Sequence, residues 1–392
     1  MDLTLIVVLV IALALFFDFT NGFHDTANAM ATPIATGALR PKVAVGIAAI
    51  LNLVGAFLST EVAKTISGGI INEGAHGVLI TPELIFAGLI GAIVWNMVTW
   101  LLGLPSSSSH ALFGGLIGAA LVGFGVQAID FGVVMSKVIL PAILAPLTAG
   151  LIAYTATRLA YAITRRYDGK PDGRDGFRHA QIFSSSLVAL AHGTNDAQKT
   201  MGIITLTLVA AGMQSSGDEV QPWVIITCAI AIALGTYMGG WRIIKTLGTG
   251  LTDVKPAQGF AAETSTAATI LASTHLGFAL STTQVASGSV IGSGIGRRGS
   301  KVRWRTAGRI GVGWLMTLPA AGAVGALAAL VAQLGVVGVI IDAIAGVVVI
   351  SAIFLWSRRS EVSPSNVVSE VAASGSAVKI KRNPKPKRKV AP

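Results

Sequence analysis

Charge is what this 392-residue chain has least of. Asp, Glu, Lys and Arg make up 12% of it against 53% hydrophobic residues, and the mean hydropathy is +0.71. That balance excludes an ordinary soluble domain and points to an integral membrane protein. Cysteine is nearly absent: Cys228 stands alone in an apolar run, which excludes an intrachain disulfide and leaves a free core thiol. No basic stretch precedes the first apolar run, Leu3 to Phe17, and no small-residue cleavage site follows it. The run therefore reads as a retained span and not as a removable signal peptide. Neither a GxSxG elbow nor an HExxH pair occurs, which removes the sequence basis for an intramembrane hydrolase.

What is present is a series of apolar runs interrupted by small polar clusters. After Arg40-Pro41-Lys42 the runs lie at Val43 to Leu58, Leu84 to Leu102, a Gly-spaced stretch up to about Gly125, and Val133 to Ile163. Glu61 to Thr81, with Glu73 and His76, reads as an external loop or partial helix. Arg158 to Arg178 is the most polar internal stretch, and its Lys/Arg excess places it on the cytoplasmic side. Beyond it lie Ala180 to Met213, Trp223 to Met238, Gly259 to Thr274, a segment opened by a hydroxyl-rich break at Leu280 to Gln284, Gly308 to Ala332 and Val336 to Trp356. From Ser357 the chain turns to Ser, Val, Pro, Lys and Arg and ends in the basic cluster Lys379 to Lys389. Such a tail cannot bury a core, and directly after a span it is expected against anionic lipid, not nucleic acid.

Two polar stretches inside apolar runs resemble each other. Gly22-Phe23-His24-Asp25 aligns with Gly193-Thr194-Asn195-Asp196, so Asp25 meets Asp196, 171 residues on, and Met30 meets Met201. Two hydroxyl-rich breaks also align, at an offset of 174: Ser106-Ser107-Ser108-Ser109-His110 with Leu280-Ser281-Thr282-Thr283-Gln284. Between them Lys64-Thr65-Ile66 faces Lys245-Thr246-Leu247. Nearly constant offsets over so long a stretch indicate a duplication.

With the linker inside and five spans before it, the first repeat starts outside and the second inside, so the repeats are inverted. Six further spans return Arg297 to Arg309 and the tail to the inside. The expected fold is an all-α integral membrane protein of two inverted-topology repeats with broken or re-entrant helices and about 10–12 transmembrane segments. Its expected parts are repeat 1–157, cytoplasmic linker 158–179, repeat 180–335, a final transmembrane helix at 336–356 and a disordered basic cytoplasmic tail at 357–392. The amino terminus is expected outside and the carboxyl terminus in the cytoplasm.

Inverted-repeat carriers bind substrate where broken helices point half-helix N-termini at anions, while carboxylates or freed carbonyls hold cations. Ser106 to Ser109 and Ser281 to Thr283 offer hydroxyls and N–H donors to a tetrahedral oxyanion. Asp25 and Asp196 offer oxygen ligands for Na⁺ or carry protons, and a purely structural role would leave two costly carboxylates unexplained. The Ser and Thr residues could instead bond back to their own helices, and His24 and His110 could be satisfied core histidines. Lys199 is either an ion partner of Asp196 or an anion contact.

The stretches Asn21-Gly22-Phe23-His24-Asp25-Thr26-Ala27-Asn28-Ala29 and His192-Gly193-Thr194-Asn195-Asp196-Ala197-Gln198-Lys199 resemble the paired signatures of the inorganic phosphate transporter (PiT) family, in the form of its bacterial low-affinity branch. The similarity continues through Gly103 to His110 and Leu280 to Gln284 and covers about residues 5 to 355. The resemblance implies cation-coupled phosphate uptake across the plasma (inner) membrane. It implies a phosphate site built from Ser107, Ser108, Ser109, Ser281, Thr282, Thr283, Asn28, Asn195 and Lys199. It also implies a coupling set of Asp25, Asp196, Glu263, His24, His110 and Gln284, with Asp25 and Asp196 as metal ligands if the cation is Na⁺. The family's sodium-coupled branch carries a glutamate where this chain has Asn52, and the bacterial branch is linked with proton symport and neutral metal–phosphate complexes, so H⁺ is favoured over Na⁺. The expected partners are inorganic phosphate, the coupling cation and the bilayer. No cofactor, enzyme activity or nucleic acid is expected, and a homodimer is left open. A sulfate or other oxyanion permease would use the same architecture, whereas a passive channel would not need the paired aspartates.

Overall fold

The structure, a computed structural model, describes residues 3–67, 80–167, 175–360, 362–369 and 371. The chain runs through α1 (Leu3–Ala35), α2 (Pro41–Gly55), α3 (Glu61–Ser67), α4 (Pro82–Leu101) and α5 (Ser108–Phe124). A single turn, α6 (Phe131–Val133), leads through a π-helical stretch at Val134–Ile139 into α7 (Leu140–Tyr167). The second half holds α8 (Asp175–Ala210), α9 (Pro222–Met238), α10 (Trp241–Lys245), α11 (Pro256–His275), α12 (Thr282–Gly296), α13 (Trp304–Ala332) and α14 (Val336–Ser357). Among the described residues there is no strand, only one isolated bridge between Thr252 and Val302. The fold is all-helical, as backbone in lipid requires.

The two hydroxyl-rich breaks are built alike. Gly103 and Gly277 take positive φ, 63° and 69°, a conformation glycine adopts without penalty. Their N–H groups bond back to Trp100 and Thr274, while those of Leu104 and Phe278 reach Thr99 and Ser273. This Schellman pattern closes α4 and α11. Each next helix opens on a serine: Ser107 Oγ accepts from His110 N at 3.1 Å, and Ser281 Oγ from Gln284 N at 3.3 Å. A residue so placed satisfies one of the orphan donors at a helix start.

The two aspartate stretches do not break their helices. Asn21 to Met30 lies within the continuous α1, and His192 to Met201 within the continuous α8. The polar side chains find partners on other helices or, as Thr26 Oγ1 does on Gly22 O at 2.7 Å, on the preceding turn, so the backbone has no need to open. Every residue from Thr20 to Ile34 and from Ala191 to Leu208 is buried. These are central helices, walled in on all sides.

Packing pairs the halves reciprocally. The first helix of each half crosses the second helix of the other: α1 packs on α9 and α8 on α2. Gly22 lies against the Ile232 carbonyl of α9, and Gly193 against the Asn52 carbonyl of α2. Likewise α13 covers α4 and α5, whereas α7 covers α11 and α12. A Cβ at Gly118 would fall on the Gly322 carbonyl of α13, and one at Gly292 on the Gly150 carbonyl of α7. Small residues at such crossings let membrane helices approach closely.

Five described helical stretches are long and apolar enough to cross a membrane: Leu3–Ala35, Pro82–Leu101, Phe131–Thr164, Trp304–Ala332 and Val336–Ser357. A sixth is the pair Pro222–Met238 and Trp241–Gly250, bent by 57°. The 15-residue α2 and 17-residue α5 are apolar but shorter than a full span, while α8, α11 and α12 carry many of the buried polar residues. Exposed Leu315, Leu327, Ile344 and Val347 on α13 and α14 present the apolar outer face that a bilayer covers.

The expectation of a disordered tail from Ser357 is corrected for its first part. Val367 and Val371 are buried in one cluster with Ile243, Ile244 and Leu247, and Thr249 Oγ1 donates to the Val371 carbonyl at 2.5 Å. The tail's valines supply an apolar anchor that its overall composition hides. The basic cluster Lys379 to Lys389 lies outside the described residues, as do Glu73, His76 and residues 168–174 of the linker; Arg158 to Tyr167 continues α7, and α8 begins at Asp175.

Gly118→Val and Gly292→Val are each expected to cost about 1–3 kcal/mol or more, because overpacking there meets backbone carbonyls that cannot yield. Gly308→Ala, with nothing within 4 Å, is expected to be neutral. Thermal unfolding of the purified variants in detergent measures the difference.

Candidate functional site

The two central helices bring their aspartates together. Thr282 Oγ1, at the first residue of α12, lies 3.3 Å from Asp25 Oδ2 and 3.4 Å from Asp196 Oδ2. Thr283 Oγ1 donates to Asp25 Oδ1 at 3.1 Å and Ser108 Oγ, opening α5, to Asp25 Oδ2 at 3.4 Å. Asn28 Nδ2, one turn beyond Asp25, reaches Thr283 Oγ1 at 3.0 Å and Thr282 Oγ1 at 3.3 Å. The starts of α5 and α12 therefore converge on the carboxylates of α1 and α8. Helix N-termini carry unsatisfied N–H groups and positive partial charge, the arrangement that attracts anions.

The charges are close and dry. Lys199 Nζ sits 2.6 Å from Asp196 Oδ1, with both side chains fully buried. His24 Nδ1 is 2.6 Å from Asp25 Oδ1, and its Nε2 is 3.2 Å from Thr99 Oγ1 and 3.4 Å from Ser106 Oγ. His192 Nε2 lies 3.2 Å from Asp196 Oδ2 and 3.8 Å from Asp25 Oδ2, without hydrogen-bond alignment, while its Nδ1 faces Asn52 Oδ1 at 3.2 Å. Asp25, His192 and Asp196 thus present three potential ligand atoms within 4.8 Å of one another.

Other expected residues lie around this centre rather than in it. Asn195 Nδ2 donates to Thr274 Oγ1 at 2.9 Å and to the Phe278 carbonyl at 3.2 Å, bracing the second break. Ser109 Oγ donates to the Leu280 carbonyl at 3.1 Å and ties one break to the other. Ser107 and Ser281 cap their helices. The Gln284 amide oxygen has no partner, and no hydrogen bond or ion pair among the described residues joins the side chain of His110 or Gln284 to an aspartate. Glu263 is buried in its own cluster, receiving Thr32 Oγ1 at 2.5 Å, Ser184 Oγ at 2.6 Å and Gln181 Nε2 at 3.0 Å. A small cavity of about 10 Å³, the size of one water, is lined by Asn28, Thr32, Glu263 and Thr266 and links the two clusters.

Two residues of the centre were absent from the expected site set, His192 and Asn21, whose Nδ2 donates to Asp196 Oδ2 at 3.2 Å. The signal was available: the offset that pairs Asp25 with Asp196 also pairs Asn21 with His192, and each of these residues reaches the aspartate of the opposite half.

Carboxylates held on central helices and faced by two hydroxyl-capped helix starts, inside a bundle with an apolar exterior, form the kind of polar centre that multi-pass membrane transporters hold. Residues 21–325 match the model of the phosphate transporter family. The chain is 55% identical over 373 residues to a protein of Mycobacterium bovis, covering 94% of this chain and 88% of that one. It is 46% identical to one of Rhizobium meliloti and 41% identical to one of Bacillus subtilis, each alignment covering 83% of this chain and 96% of the relative. All three carry the name probable low-affinity inorganic phosphate transporter. A solved structure described as the sodium-dependent phosphate transporter shares the fold, with a TM-score of 0.73 and 24% identity over 84% of this chain and all of that one. The chain belongs to the phosphate transporter family.

Breaking the buried pair by Lys199→Met is expected to cost about 3–5 kcal/mol, because it leaves the Asp196 charge uncompensated. Adding Asp196→Asn is expected to recover part of the loss. Unfolding of the two single variants and the double variant gives the coupling.

Proposed function

We propose that the chain imports inorganic phosphate across the plasma membrane by proton symport, with alternating access around Asp25 and Asp196, the amino terminus outside and the carboxyl terminus in the cytoplasm. The observation that carries this reading is the Thr282 hydroxyl within 3.4 Å of both aspartates, which puts anion donors from a helix start and carboxylate acceptors from both halves at one point. Phosphate would lie between the starts of α5 and α12. Ser108, Thr282, Thr283, Asn28 and backbone N–H groups would donate to its oxygens, and Asp25 and Asp196 would accept from its P–OH groups. Sulfate, fully deprotonated, has no proton to give those carboxylates, which favours phosphate. The names of the relatives point the same way.

For the cation, the contacts of His24 and His192 to the aspartates favour a proton, since an imidazole and a carboxylate can share one at neutral pH. A second reading is favoured by the Asp25, His192 and Asp196 triad, whose mixed nitrogen and oxygen set suits a divalent transition metal better than Na⁺. In that reading the cargo is a neutral metal–phosphate complex and the metal travels as substrate.

Radiolabelled uptake into proteoliposomes tests both readings. An imposed inward proton gradient is expected to drive phosphate accumulation that sulfate does not reproduce, and Asp25→Asn and Asp196→Asn are each expected to abolish it. Accumulation that follows only a Na⁺ gradient would overturn the proton assignment, and dependence on added divalent metal would establish the second reading.

A further inference from the structure

Asp18 lies on α1 seven residues before Asp25, two turns and about 10 Å along the same helix face. It is fully buried, and neither carboxylate oxygen has a hydrogen-bond partner. Thr200 of α8 acts on it, and the Thr200 hydroxyl likewise has no hydrogen-bond partner. His192, Asp196 and Lys199 of α8 lie within electrostatic reach, and so does the Cys228 thiol of α9. The offset that pairs Asp25 with Asp196 leads from Asp18 to Ala189, so this carboxyl belongs to one half alone and serves no symmetric contact.

A buried carboxyl without a donor on either oxygen is among the costliest groups a membrane interior can hold, and it persists where it does work. The hydroxyl and thiol beside Asp18 are a poor cage for a metal cation, which needs several oxygen ligands. A proton needs a single lone pair. We propose that Asp18 is a proton-binding site of the transport cycle, placed one step from the Asp25/Asp196 centre, where it loads a coupling proton. Loading forms one O–H bond on Asp18 and unloading breaks it, with the proton passing to water on the opposite side, and no electron moves. A loaded Asp18 leaves Lys199 to Asp196 alone; an unloaded one adds a negative charge within reach of Lys199 and His192. The proton on Asp18 thereby shifts the field at the phosphate centre. This inference rests on the proton-symport reading above.

The test uses the full chain in proteoliposomes with three readouts: phosphate accumulation under an imposed proton gradient, phosphate–phosphate exchange without a gradient, and proton influx followed by an internal pH dye. Asp18→Asn is expected to lose gradient-driven accumulation and phosphate-dependent proton influx while keeping exchange, and Asp18→Glu is expected to restore both. Asp218→Asn, which removes an exposed carboxyl of the loop after α8, is expected to behave as wild type. Accumulation and proton influx in Asp18→Asn equal to wild type would overturn the proposal. So would loss of exchange in both Asp18 variants, which marks a structural role. A wild type that ignores the proton gradient would instead overturn the coupling reading, and that result is visible before any variant is compared.

Discussion

Two carboxylates from opposite halves of the chain share one hydroxyl. In an apolar interior neither Asp25 nor Asp196 can stand without donors, and the surrounding architecture supplies them from both sides. Asn21 crosses over to the opposite half's Asp196, His24 meets Asp25, Lys199 neutralises Asp196, and Ser108, Thr282 and Thr283 arrive from helices that start at that depth. The breaks at Gly103 and Gly277 exist so that two helices can begin inside the bundle. A continuous helix there would have its N–H groups already spent on its own carbonyls.

The same constraint explains the exchange of helices between the halves. A helix start buried in the bundle must be covered, and each break is covered from the other half, by α13 over α5 and by α7 over α12. The glycine contacts at these crossings, Gly118 on Gly322 and Gly292 on Gly150, bring backbone to backbone. Ser109 bonding to the Leu280 carbonyl joins the two breaks directly. The covering helix of one half therefore packs directly on the helix that starts at the other half's break.

The two breaks are built alike, but the two central helices differ in charge. Where the first has His24 and Asn28, the second has Asn195 and Lys199. His24 and Asn195 both brace their own break, on Thr99 and on Thr274, while Asn28 reaches hydroxyls and Lys199 takes a carboxylate. These differences put a lysine on a carboxylate in one half of the site and a small amide donor in the other.

Membrane class, the pairing of Asp25 with Asp196 and the two hydroxyl loops were all legible in the residues. They depend on composition and on regular spacing, which a single chain displays without being folded. The capped breaks were legible too, because Gly and Ser act on their immediate neighbours. Three things were decided only by tertiary structure. The aspartate stretches remain helical because partners on other helices satisfy them. Glu263, His110 and Gln284 fall outside the centre because helix rotation, not spacing, sets which way a side chain faces. Val367 and Val371 are held because a groove beside Ile243 and Leu247 accepts them. Sequence carries what is local or repeated; the satisfaction of a buried polar group is a matter between distant segments, and only packing determines it.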